Sequence, residues 1–332
     1  MPRDVSPADV KSYSTQVMGG LFRIQLVEGR ADGFAAADAA FAEARRIEGL
    51  FNLWSKDSEL SRWNRLSRET EPDSLAIHSE LFRMLGLSLQ CAEETRGAFD
   101  PTIGRALREL GFYGDEPVAD LDDVSRTRWR HYVRFDKISP RDLLWGIFPG
   151  DQIPEDRFFV DGAKGVELDL SAVAKGYAAD RMIGVLRVHG IETALVSAGP
   201  SSARAFGGGS EGQGWPFTLP GSKGTQTWWL LNEAVSTSGQ SSLTLPGANE
   251  GRSHILDPRT LAPVNHRTEM VVLRGKNAAV CDVLSTALLV LGAESGDQWI
   301  HGETGLVEWL SEVVFYSVAE DGSDPDIRSV TR

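Results

Sequence analysis

Apolar positions along this chain follow two periods. In Ala31–Trp54, residues Phe34, Ala37, Phe41, Ala44 and Phe51 recur at steps of three, four and seven, with Glu48 the one polar member, which predicts an amphipathic helix. Further helices are predicted from near His78 through Leu81, Leu85 and Ser88 to Thr95, over Ser171–His189, and over Asn277–Leu291. Strands are predicted at Gln16–Val27, Thr193–Ser197, Thr225–Leu231, Glu269–Leu273 and Val313–Val318. The first is interrupted by Gly19-Gly20, where a bulge or a close ligand approach is expected. Val133–Asp169 reads as short strands and turns punctuated by Pro140, Pro149 and Asp161-Gly162, and Arg204–Gly224 as a loop with one short strand. Helices and strands come in blocks without regular βαβ alternation, which predicts an α+β fold. The polar ends, 1–14 and 320–332, read as tails around a single unit spanning 15–319.

Charge and cysteine content narrow the function. The chain has 332 residues, enough for one large domain or two small ones. Its formal net charge of −13 argues against a nucleic-acid partner, because phosphate binding needs clustered Lys and Arg. An anionic cofactor held locally by a metal and one lysine is compatible with that balance. Cys91 and Cys281 are far apart and form no CxxC, so two buried thiols are expected and no structural zinc. Met1–Val17 carries neither an apolar run of signal-peptide length nor a cysteine for a lipid, so the expected location is cytoplasmic without a membrane anchor. No stretch is expected to span a membrane.

Four strings carry candidate chemistry: AFDPTIG at Ala98–Gly104, LDLSAVAKGYAAD at Leu168–Asp180, SHILDP at Ser253–Pro258, and CDVLSTAL at Cys281–Leu288. Asp282 and Thr286 are four apart and share one helix face, a carboxylate and a hydroxyl suited to a hard cation. Apolar flanks make Asp282 an inward-leaning carboxylate that needs a partner. Asp169 ends a strand and Ser171 is placed to cap the next helix, whose start suits an anion, with Lys175 one turn in. Asp100 precedes Pro101 and is expected to be presented from a fixed turn. His254 is a proton-transfer candidate with Asp257 beside it. Gly199-Pro200-Ser201-Ser202-Ala203 after a strand imitates a nucleophile elbow but lacks its last glycine.

In their order, the four strings resemble the family of FAD:protein FMN transferases, the ApbE-like proteins, from about Met18 to about Gly292. The resemblance implies two interleaved subdomains of mainly antiparallel sheet with packed helices and a nucleotide cleft between them. It implies Mg²⁺-dependent transfer of FMN from FAD to a Thr or Ser of an acceptor flavoprotein, with release of AMP. Carried onto this sequence, Asp282, Thr286 and the Ala172 carbonyl hold the metal. Met18, Trp54, Ala98, Phe99, Asp100, Asp169, Lys175 and Leu256 contact FAD, and His254 or a neighbouring carboxylate such as Asp257 takes the acceptor proton. VSTSG at Val235–Gly239 also matches a recurrent family string.

The chain departs from the pattern at four places. Trp54 stands where tyrosine is common, and Ser285 where some members have a second aspartate. Gly199-Pro200-Ser201 replaces a Gly-Gly-Asp loop, and Leu261 replaces a glycine. These changes keep open a second reading, an FAD-binding homologue that hydrolyses FAD slowly without transfer.

Overall fold

The computed structural model describes residues 10–27, 29, 31–69, 75–114, 122–141, 158–221, 224–240, 255–302, 305–318 and 326–331. In chain order the strands are β1 Val10–Val17, β2 Gly20–Val27, β3 Leu75–Ile77, β4 Ile138–Arg141, β5 Phe158–Gly162, β6 Ala194–Ala198, β7 Ser202–Phe206, β8 Trp215–Gly221, β9 Gly224–Leu230, β10 Ala234–Gly239, β11 Leu256–Asp257, β12 Ala262–Pro263, β13 Thr268–Gly275, β14 Leu310–Ser317 and β15 Asp326–Thr331. The helices are α1 Gly33–Phe51, α2 Glu59–Glu69, α3 Ser79–Glu94, α4 Gly104–Glu109, α5 Asp123–Trp129, α6 Ser171–Val188 and α7 Ala278–Ile300. The chain forms two compact units interleaved in sequence: one from 1–48, 172–239 and 266–332, the other from 49–171 and 240–265. The α+β class holds.

The first unit is built on an eight-stranded sheet in the order β1-β2-β6-β7-β10-β13-β14-β15. Every neighbouring pair in it is antiparallel. Helix α7 packs on β10, β13, β7 and β14. The β8–β9 hairpin adds Trp215, Leu219, Trp228 and Leu230 to a buried cluster with Leu195, Val235, Val272 and Val314. The strand predicted through Gly19-Gly20 is in fact a hairpin, with Met18 and Gly19 as its two-residue turn at φ 53° and 69°. Two successive positive φ values match the hand of twist that joins antiparallel strands tightly.

Phe34 does not join the buried face of α1: it is exposed and meets Tyr13 edge-on, while Ala36, Ala37, Ala40, Phe41, Ala44 and Ile47 are buried. Residues 326–331, read as tail, form edge strand β15 paired to β14, and only Val330 of it is buried, which leaves little apolar signal. Val10–Ser14, also read as tail, belong to β1. Helix α7 is long and apolar enough to meet a membrane-span criterion, against expectation. Most of it is buried, it carries Asp282, and it is broken at Gly292 (φ 74°), all features of a core helix. At that break the His266 ring lies 2.8 Å from the Leu289 carbonyl, and Thr268 Oγ1 accepts the Ala293 N–H at 3.0 Å. Both cysteines are free and buried as expected, and burial raises both thiols.

The second unit joins α2 to α5 with the sheet β3-β5-β4 and the small β11-β12 ladder. Its core gathers Ala106, Leu107, Leu110, Trp129, Val133, Leu256 and Leu261. The side-chain amide of Asn64 pairs with both the N–H and the carbonyl of Leu168, at 2.7 and 2.8 Å. Buried Glu167 takes Arg108 in bidentate fashion and Arg68. Together these fix the backbone that leads into Asp169 and α6.

Candidate active site

In the first unit, residues of strands β7 and β10 and of helix α6 converge on Asp282 of α7. Its carboxylate is buried, and Oδ1 accepts the hydroxyls of Ser202 at 2.5 Å and Ser236 at 2.7 Å. Oδ2 accepts the Gly176 N–H of α6 at 2.6 Å. A carbon at Gly176 Cβ would lie 2.2 Å from the Ala278 carbonyl oxygen, so only glycine lets α6 approach α7 this closely. Burial pushes the Asp282 carboxyl above its usual range, although the Ser202 and Ser236 hydroxyls, the Lys175 charge and the Gly176 N–H all favour the anion. Helical register aims the Gly176 N–H at the Ala172 carbonyl. A backbone carbonyl has two lone pairs, so the Ala172 oxygen can accept a further partner.

The hydroxyls continue beyond Asp282. Ser285 Oγ lies 3.1 Å from Ser236 Oγ and 2.8 Å from Ser238 Oγ, and Ser238 Oγ lies 3.3 Å from Thr286 Oγ1. Ser236 and Ser238 are two apart on β10 and therefore share one face of the sheet. Asp282 and Thr286 are thus brought into one hydroxyl-rich set, with Lys175 electrostatically coupled to it. Among the described residues no group of three His, Cys, Asp or Glu could hold a metal. The donor set still fits Mg²⁺, which prefers hard oxygens and usually takes few protein ligands. A buried carboxylate with raised proton affinity, ringed by neutral donors, gains from a cation. Asp282, Thr286 and the Ala172 carbonyl are the groups that would hold it.

The same sheet end carries two turns. Met18 heads the β1–β2 turn, and its N–H donates to Glu48 Oε1 at 2.9 Å. The Gly199 N–H donates to the Leu21 carbonyl at 3.2 Å, so the Gly199–Ser201 loop lies beside that turn. The Ser201 carbonyl accepts the Thr237 N–H at 2.7 Å. This loop joins two antiparallel strands, β6 and β7, and no helix follows it. It is therefore no nucleophile elbow, and Ser202 is committed to Asp282.

In the second unit, AFDPTIG and the segment before α6 are fastened together; that segment is not the strand read from the sequence but a loop with one isolated bridge between Ile103 and Glu167. The Gly104 N–H donates to the Glu167 carbonyl at 3.1 Å and the Asp169 N–H to the Pro101 carbonyl at 2.7 Å. Asp100 is turned inward, contrary to expectation. Oδ1 accepts the Thr102 N–H and hydroxyl at 2.8 and 2.6 Å, and Oδ2 accepts the Phe135 N–H at 3.0 Å. A buried carboxylate must find donors, and here the turn supplies them. Ala98 and Phe99 are also buried, so side chains of this string offer little to a ligand. The Ser171 N–H is taken by Asp169 Oδ1 at 2.6 Å, so Asp169 fills the capping role expected of Ser171.

Asp169 Oδ2 accepts the Tyr113 hydroxyl at 2.6 Å. Tyr113 stands edge-on to Trp54, an exposed residue (57%). Leu256 is buried in the unit's core. Asp257 is engaged in a bidentate pair with Arg259, at 2.9 and 2.8 Å, and also accepts the Arg259 N–H. That pairing makes Asp257 a turn organiser. His254 lies outside the described residues. Sequence reasoning missed Ser202, Ser236, Ser238 and Tyr113. The alternation of serines in VSTSG is the signal that points to the first β10 pair, whereas nothing local in the sequence ties Tyr113 to Asp169.

A model of the ApbE family matches residues 18–310. The chain is 27% identical over 326 residues to an FAD:protein FMN transferase of Klebsiella pneumoniae, covering 92% of this chain and 86% of that one. It is 25% identical over 301 residues to an FAD:protein FMN transferase of Vibrio cholerae, covering 87% and 84%. The fold is similar to that of the flavin transferase ApbE from Vibrio cholerae, with TM-score 0.78, 22% identity and 97% of each chain covered. It is equally similar to the Pseudomonas stutzeri flavinyl transferase ApbE, with TM-score 0.78, 22% identity, and 97% and 94% covered. By the extent of that match and the strings that carry it, this chain belongs to the ApbE family.

Proposed function

We propose that this chain transfers FMN from FAD to a threonine or serine of an acceptor flavoprotein and releases AMP, using Mg²⁺. The observation that carries the reading is the buried Asp282 carboxylate set among hydroxyls and coupled to Lys175, in a chain whose curated relatives bear the name FAD:protein FMN transferase. When bound, the cation supplies charge neutralisation at the pyrophosphate.

In this reading the acceptor hydroxyl oxygen forms a bond to the FMN phosphorus. The bridging P–O bond to AMP breaks, AMP leaves with that oxygen, and the hydroxyl proton passes to a base. Lys175 adds positive charge beside the phosphates. His254 is the proposed base, because both Asp257 carboxylate oxygens are already taken by the Arg259 guanidinium. Trp54 offers a flat apolar face for a heterocycle.

The Gly199-Pro200-Ser201 loop favours keeping FAD hydrolysis without transfer as the second reading. Exposed Pro200 lacks an N–H, and Ser201 lacks a carboxylate. Chromatography of AMP released from FAD and Mg²⁺, with and without an acceptor flavin domain, separates the two. Transfer requires release that depends on acceptor, whereas equal release in both samples favours hydrolysis. No release in either refutes both.

A further inference from the structure

The Tyr113 side chain meets two of the residues proposed to hold the nucleotide, each from a different stretch of the second unit. Its hydroxyl donates to Asp169 Oδ2 at 2.6 Å. Its ring stands at 88° to the Trp54 ring, with centroids 5.5 Å apart. It also packs against the buried cluster that contains Leu256. Phe112 supports the same indole, with centroids 5.9 Å apart.

Trp54 is held from its own side as well. Its N–H donates to Asn52 Oδ1 at 2.9 Å, the Ser55 N–H to the Asn52 carbonyl at 3.3 Å, and the Ser61 hydroxyl to that same carbonyl at 3.2 Å. The indole is therefore an exposed ring on an ordered turn, braced by two aromatic neighbours. Asp169 is braced likewise, because its second oxygen accepts the Ser171 N–H at 2.6 Å. Burial, followed by the Asp169 charge, raises the Tyr113 phenol well above its usual range, so it stays a donor to that carboxylate.

We propose that Tyr113 is a positioning residue for the dinucleotide: it sets the Trp54 indole as a stacking platform for a flat heterocycle and fixes the Asp169 carboxylate in register with it. The inference rests on the FAD reading above. One side chain couples an apolar ring contact to a polar contact, so a nucleotide meets both in a fixed relation. Preorganisation of this kind raises affinity by removing ordering costs from the binding step.

Steady-state kinetics of AMP release with the full chain, combined with FAD titration, test it. Tyr113→Phe keeps the ring and loses the bond to Asp169. The expected result is a rise of about tenfold in KM for FAD with kcat changed by less than about twofold, the scale of one hydrogen bond to a charged group. In an Asp169→Ala background the same substitution should change KM by less than about twofold, because its partner is gone. Tyr113→Leu removes the ring edge and should abolish the shift of the flavin absorption band that accompanies stacking on Trp54.

A fall in kcat at unchanged KM marks a merely structural role and overturns the proposal. So does an equal KM effect in the Asp169→Ala background, or an unaltered flavin spectrum in Tyr113→Leu. Tyr113→Phe removes the hydroxyl alone and Tyr113→Leu removes the ring with it, so poor folding of Tyr113→Leu leaves the KM test of Tyr113→Phe decisive. A wild-type chain that binds no FAD overturns the functional reading itself, whereas wild-type binding with equal binding by Tyr113→Phe overturns only the role of Tyr113.

Discussion

Gly176 and Asp282, on two different helices, are joined by a 2.6 Å hydrogen bond from the glycine N–H to the buried carboxylate. The bond exists because α6 and α7 approach to a distance that excludes any side chain at Gly176: its Cβ would lie 2.2 Å from the Ala278 carbonyl oxygen. Backbone cannot yield as a flexible side chain does, so Gly176→Ala must part the helices. Overpacking of this kind costs about 1–3 kcal/mol or more. The expected outcome is a lowered melting temperature together with loss of AMP release. Unchanged stability by thermal denaturation would show that the helices accommodate the methyl and that the close approach is not required.

Thr286 is only partly buried, and its hydroxyl meets Ser238 at 3.3 Å. Thr286→Val keeps the shape and removes one hard oxygen from the set around Asp282. Turnover should fall and should recover in part as Mg²⁺ is raised, while the melting temperature of the metal-free protein changes little. Asp282→Ala is a harsher test, since it strands the Ser202 and Ser236 hydroxyls and the Gly176 N–H without their acceptor. Activity of Thr286→Val that matches wild type at every Mg²⁺ concentration would remove Thr286 from the metal site.

Much of this arrangement is legible in the sequence, and the reasons for the remainder are physical. Helices α6 and α7 announce themselves through small and apolar residues in register, and Asp282 with Thr286 through their spacing. Helix α2 does not, because it buries Asn64 and Ser67 beside Leu60 and Trp63, and its key contact is an amide paired to the backbone of Leu168. Strand β8 is hidden by Pro216 and Pro220, both exposed in a two-stranded hairpin, where a missing N–H is tolerated. Asp100 shows the limit of local reading. Its Asp-Pro turn is visible, but the inward direction of its carboxylate depends on Phe135, which is distant in sequence.

Leu261 stands where the family carries glycine, and the structure gives it φ 57° with no exposure. Two effects oppose each other on substitution. Leu261→Gly relieves a left-handed conformation costing about 1–2 kcal/mol. It also deletes a buried leucine side chain packed in the Leu256 and Trp129 cluster, a loss of about 2–5 kcal/mol. The packing loss is the larger, so Leu261→Gly should destabilise by about 1–3 kcal/mol net. Urea denaturation measures it, and a stabilised variant would mean that backbone strain dominates.

Glu109 sets an acid limit on stability. Burial opposes its ionisation, but the Trp129 indole N–H at 2.7 Å, and then Arg105 and Arg128, outweigh burial and hold the carboxyl below its usual range. A folded-state pKa below the unfolded value contributes stability that is fully present above the ordinary carboxylate range and lost as pH falls through the folded pKa. Melting temperature should therefore drop more steeply below about pH 4.5 in wild type than in Glu109→Gln. Parallel curves for the two proteins would show that this group does not drive the acid transition.

In the proposed reaction this chain moves FMN onto a protein hydroxyl. Intact-protein mass spectrometry of an acceptor flavin domain, incubated with this chain, FAD and Mg²⁺, reads it directly. The expected result is a mass increase of one FMN less water on the acceptor, mapped to a single Thr or Ser, matched mole for mole by AMP and lost in Asp282→Ala. An acceptor of unchanged mass while AMP accumulates would contradict it and leave a hydrolase in its place.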